Sequence, residues 1–253
     1  MNINFIPFKR LITAALLLTV SLNILAADWK NKDWPFINPS EANTNQTNYL
    51  VERKEFTMSY NNDKGTPNWV AWSLEKNDIG KAPRVEFYPD EDLPRSFKRV
   101  LPRDYNKTGF DRGHMCNHED RSSTIETSRA TFTMANMVPQ SPDLNRKAWE
   151  KLEAYSRRMV QKGVHVHVIC GPAGIGGEGS EGEAKDIGKS RKVTVPACCW
   201  KIIVIAGADE KPDLSKTIAV IMPNKMGVGE DWKPYKTTVE EVEKLTGYKF
   251  FSK

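Results

Sequence analysis

Residues 110–153 read FDRGHMCNHEDRSSTIETSRATFTMANMVPQSPDLNRKAWEKLE. A histidine stands beside a permanent cation at Asp111-Arg112-Gly113-His114, and a Pro-Gln pair closes Asn136–Gln140. Imidazole titrates closest to neutrality and can take a proton from water. Arginine stays charged and forks onto phosphate oxygens. Gly113 between them permits tight packing or a positive φ. A helix is predicted after Ser141-Pro142, with Leu144, Trp149, Leu152 and Met159 at helical spacing. On it Asn145 and Glu153 lie eight residues apart, about 80° past two full turns, so both can face one side. A neutral amide oxygen with a carboxylate is hard oxygen ligation, suited to a Mg²⁺ ion that keeps most of its waters. Base, arginine and such an ion together are what phosphodiester hydrolysis requires.

The flanking sequence predicts the frame. Strand-like alternation runs through 55–60, 68–74 and 164–170, and β-rich runs follow at 192–195, 200–206 and 217–222. Residues 75–110 and 171–188 read as loops. Thr237 with Glu240 reads as a capping box opening a last helix whose apolar face is Val239, Val242 and Leu245 and whose end is Gly247. No internal repeat and no long linker appear, so one α+β domain is expected. With 39% apolar and 27% charged residues among 253, disorder and a disulfide miniprotein are excluded.

Lys9-Arg10, the apolar run to Leu25 and Ala26-Ala27 form the pattern of a secretory signal peptide over residues 1–27. Residues 28–48 read as a polar N-terminal extension, and 49–253 as the functional domain. A secreted or periplasmic protein, with no stable membrane association after cleavage, is the expectation. Removing Lys9 and Arg10 leaves 35 basic residues against 32 acidic, compatible with polyanion binding but no evidence for it. Export permits disulfides. One bridge from Cys116 to Cys170 or Cys198, or buried free thiols at these positions and Cys199, both fit. His114 and His118 have a zinc-like spacing without the acidic partner of a metalloprotease helix. The GEAKDIGKS run at 182–190 separates its glycines by five residues where a phosphate loop needs four.

The ordered set Asp111–His114, Asn136–Gln140 and Asn145…Trp149…Leu152-Glu153 resembles the DNA/RNA non-specific endonuclease family, to which Serratia nuclease and endonuclease G belong. Trp69–Trp72, Val195–Lys201 and Val239–Glu243 extend the likeness over roughly residues 50 to 250. The resemblance implies a ββα-metal site on a central antiparallel sheet with flanking helices. It also implies hydrolysis of DNA and RNA through their phosphate backbones to 5′-phosphate products. By resemblance His114 is the general base and Asn145 the direct ligand of Mg²⁺, with Mn²⁺ or another divalent ion tolerated. Glu153 holds a metal-bound water, and Arg112 and the upstream Arg84 meet phosphate. Asn136 sets the histidine loop or the substrate, and Asp111 orients its loop. Met115-Cys116-Asn117-His118 lacks the family's proline, and Phe132 stands where a polar residue is frequent. A catalytically inactive nucleic-acid-binding module and an exported metal-dependent phosphodiesterase acting on small substrates are the alternatives. Monomer and homodimer are both open.

Overall fold

The computed structural model describes residues 34–207, 212 and 214–252. The expected signal peptide, and residues 28–33 of the expected extension, lie outside them. In chain order the strands are β1 (Thr44–Asn45), β2 (Asn48–Glu52), β3 (Thr57–Asn61), β4 (Thr66–Leu74), β5 (Asp111–His114) and β6 (Met137–Gln140). They continue with β7 (Val164–Ala173), β8 (Gly177–Gly179), β9 (Gly182–Ala184), β10 (Asp186–Ile187) and β11 (Val193–Thr194). The last are β12 (Cys198–Gly207), β13 (Thr217–Pro223) and β14 (Lys236–Thr237). Three α-helices are described: α1 (Ile125–Ala130), α2 (Glu150–Gln161) and α3 (Val239–Thr246).

Eight strands form one sheet in the order β1-β2-β3-β4-β7-β12-β13-β14, antiparallel throughout. Its two faces separate by the two-residue period of a strand. Val70, Trp72 and Leu74 of β4, with Cys199 and Ile203 of β12, pack on one face against Met115, Val138, Leu144, Trp149 and Leu152. Trp69 and Ala71, with Trp200, Ile202 and Val204, pack on the other against Val242, Phe250 and Phe36. Because both faces are covered, the central strands read as near-continuous apolar runs.

Several elements differ from the sequence expectation. The division at residue 48/49 falls inside the β1–β2 hairpin, where Thr44 pairs with Tyr49. Upstream, Phe36 is buried, stacks on Phe251, and is followed by an Ile37 amide that donates to the Phe250 carbonyl. The loop expected at 171–188 contains the small β8–β9 hairpin. Helix α3 is capped by Thr238, whose hydroxyl accepts from the Glu241 amide, because Thr237 is taken up in β14. Gly247 ends the helix at φ 74° as expected. All four cysteines are free, so the Cys116 bridge is not formed. Among the described residues no helix is long and apolar enough to cross a membrane.

Candidate active site

β5 and β6 form a separate two-stranded antiparallel hairpin that pairs His114 with Met137 and Asp111 with Gln140. The chain then passes through a π-wound stretch, Leu144–Trp149, directly into α2. Gly113 sits at a close approach: a β-carbon there would run into the buried Gln140 side chain. Its φ is not among the positive ones, so packing, and not an unusual turn, explains the glycine.

His114, Arg112, Arg84, Asn145 and Glu153 line one cleft of about 350 Å³. Five residues spread over seventy positions of sequence therefore face a common space. The π stretch helps, because π winding with i→i+5 bonds turns less per residue than an α-helix. It brings Asn145 and Glu153 to the same side.

Asn136 does not reach the cleft. It is fully buried, its Oδ1 accepts from the Cys116 amide at 3.0 Å, and its Nδ2 donates to the carbonyls of Cys116 and Thr131 at 2.8 and 2.9 Å. It staples the backbone two residues beyond His114. Of the two roles the resemblance left open, bracing the histidine loop matches this placement, and substrate contact does not. Beyond it, Asp120 accepts from the Trp72 indole, and Arg121 donates to the carbonyls of Glu55 and Ser73. The loop after the histidine is thus pinned to the main sheet.

His114 is 9% exposed. The Phe132 ring meets it edge-on at 5.0 Å, and Phe87 lies at 5.5 Å. Burial pushes the imidazole pKa down to about 3, and the charges of Arg84 and His118 push in the same direction. The ring is therefore neutral at neutral pH, the form that accepts a proton. Phe132, fully buried, is a wall of the histidine pocket, which accounts for an apolar residue at that position. His118 also lines the cleft, with its Nε2 3.1 Å from the Ala82 carbonyl, and burial with Arg84 lowers its pKa.

The cations divide into two kinds. Arg112 is held by the Pro102 carbonyl at 2.7 Å and Asn106 Oδ1 at 2.7 Å, with its guanidinium over Phe87. Arg84 lies over Phe132 at 5.1 Å. Neither is paired with a carboxylate among the described residues. Arg157, one helical turn after Glu153, is neutralised by Asp120, Glu119 and Glu150.

Asp111 is an acceptor only, so the amide nitrogen of Asn145 must face it. Asn145 Nδ2 donates to Asp111 Oδ2 at 2.9 Å, and Arg146 binds both Asp111 oxygens at 2.8 and 2.6 Å. The Asn145 Oδ1 is left for the cleft. The Glu153 side chain, 11% exposed, accepts from Lys201 through Oε1 at 3.2 Å. Burial raises its pKa to about 7 against the pull of Lys201 and Arg157. An oriented amide oxygen and a carboxylate suit a hard divalent ion that keeps most of its waters. Among the described residues no group of three or more His, Cys, Asp or Glu side chains forms a metal cage. A hydrated ion with one or two protein ligands needs none.

The sequence reading missed Lys201 and the part played by Arg157. Each had a signal. Lys201 is the lone charge in the apolar run CCWKIIVIAG. Arg157 stands four residues from Glu153, on the same helix face.

A histidine hairpin leading into a helix that carries Asn and Glu, laid on an antiparallel sheet, defines an α+β protein of the ββα nuclease class. Comparison with known proteins agrees. The family model described as DNA/RNA non-specific endonuclease matches residues 37–253, and the chain belongs to that family. A nuclease of Nostoc sp. is 42% identical over 224 residues, covering 85% of this chain and 78% of its own. The mitochondrial nuclease EXOG of Xenopus laevis is 28% identical over 200 residues, and the match takes in 77% of this chain but 56% of that protein. Among solved structures, a chain of the EndoG/EndoGI complex is similar at TM-score 0.67 and 29% identity, covering 80% of this chain and 85% of its own. The protein is a nucleic-acid-hydrolysing enzyme.

Proposed function

We propose that this chain is an exported endonuclease, dependent on Mg²⁺ or a similar divalent ion, that cuts the backbones of DNA and RNA and leaves 5′-phosphates. The observation that carries the reading is one cleft lined by a neutral buried histidine, two arginines without carboxylate partners among the described residues, and an oriented amide beside a carboxylate. His114 accepts the proton of the attacking water. Arg84 and Arg112 offset the charge that builds on the phosphate as the bond to the 3′ oxygen breaks. Asn145 and Glu153 would hold the ion. When bound, it supplies Lewis-acid stabilisation of the phosphate and the leaving oxygen. The group attacked is the backbone phosphate and not a base edge, so cutting of both DNA and RNA is expected.

The experiment is digestion of plasmid DNA and RNA side by side, with and without chelator, with end-labelled fragments. Cutting of both polymers that chelator abolishes, with 5′-phosphate ends, is expected. His114→Ala should lose activity at least 100-fold while still binding DNA. Cutting unaffected by chelator, or full activity in that variant, would overturn the assignment. Turnover of a small phosphodiester with neither polymer cut would point to the phosphodiesterase alternative.

A further inference from the structure

Lys201 sits at the middle of β12 and is 1% exposed. The strand period directs its side chain to the same face as Cys199 and Ile203, under the cleft. Its neighbours there are aromatic: Nζ lies 4.0 Å from the Trp149 ring centroid and 5.9 Å from that of Trp72. Its ion-pair partner is Glu153 Oε1 at 3.2 Å. A buried pair gains little stability over apolar residues that fill the same volume. A lysine in this layer therefore asks for an explanation other than stability.

Glu153 supplies one. Arg157, the other cation near it, is engaged by Asp120, Glu119 and Asn117. Among the described residues Lys201 is the hydrogen-bond partner of the Glu153 carboxylate. The ammonium is itself fixed between the Trp72 ring of β4 and the Trp149 ring of the π-wound stretch, and it engages one carboxylate oxygen from below. We propose that Lys201 is a positioning residue that locks Glu153 in one orientation, Oε1 held toward the sheet and the second oxygen presented to the cleft. This rests on the reading that Glu153 helps to hold the divalent ion. The sheet would then set the geometry of the metal site through one lysine, while Asp111 sets the Asn145 side of it.

The test is Mn²⁺ binding to the full chain without nucleic acid, followed by electron paramagnetic resonance, with urea midpoints in chelator to check each fold. The variants are N145A, E153Q, K201M, K201R and E153Q/K201M. N145A should lose binding. K201M should bind Mn²⁺ about 10-fold or more weakly, the loss usual when an outer partner of a ligand is removed. K201R, which restores a cation, should recover part of that loss. In the E153Q background K201M should bring no further weakening. Mn²⁺ affinity unchanged in K201M, or an equal loss with and without Glu153, would overturn the inference alone. N145A binding like the wild type would overturn the metal reading and this inference with it. Should K201M fail to fold, the comparison of E153Q with E153Q/K201M decides: equal affinity supports the role, and a further loss overturns it.

Discussion

Lowering the pH from 7 to 5 in the presence of chelator should destabilise the protein through His114, and His114→Gln should remove that part of the loss. The folded pKa of the imidazole is about 3, against an ordinary value of 6.5. The sign follows from which state takes the proton first. Above 6.5 the ring is neutral in both states and contributes nothing to the pH dependence. Below 6.5 the unfolded chain binds a proton that the buried ring, walled by Phe132 and Phe87 and facing Arg84, does not accept until about pH 3. Stability therefore falls as pH falls through that window. At about 1.4 kcal/mol per pH unit, going to pH 5 costs about 2 kcal/mol. Glutamine is neutral at both values. Urea unfolding followed by tryptophan fluorescence should show wild type losing about 2 kcal/mol more than His114→Gln between pH 7 and 5. Equal losses in the two proteins would refute the claim that burial holds this ring neutral below its ordinary pKa.

Three further outcomes follow from the geometry. Asn136→Ala leaves the Cys116 amide and the carbonyls of Cys116 and Thr131 buried without their partner, so a loss of about 3 kcal/mol in urea unfolding is expected. Because Glu153 is raised to about 7, nuclease activity at limiting Mg²⁺ should decline as pH drops through neutrality, and added Mg²⁺ should move that acid limb lower by competing with the proton. A limb indifferent to Mg²⁺ would speak against Glu153 as a holder of the ion. With all four cysteines free, thiol titration of protein unfolded without reductant should read four groups, and reductant should leave the melting temperature unchanged.

Much of the site was legible because its chemistry is carried by short ordered motifs. His114 with Arg112, and Asn145 with Glu153 on one helix, were readable from residue type and spacing. Asn136 was readable as a member of the set, but between bracing and substrate contact the sequence left the choice open. The choice depends on the two Cys116 backbone groups and the Thr131 carbonyl, which Asn136 meets only after the chain has turned back on itself. The Thr237 cap slipped by one residue for a similar reason. A helix start is a local signal, whereas Thr237 is claimed by pairing with Ala219 on a strand distant in sequence.

The primary structure by itself determined the family, the α+β class and the residue types of the cleft, since hydrophobic period, glycine placement and motif order are properties of neighbours along the chain. Tertiary structure alone decided what those residues became. Burial under Phe132 made His114 a neutral ring, Asp111 turned the Asn145 oxygen outward, and a lysine from the sheet beneath the cleft met Glu153. Electrostatic environment and amide orientation are set by groups tens of residues away, and no local pattern in the chain encodes which of them will meet.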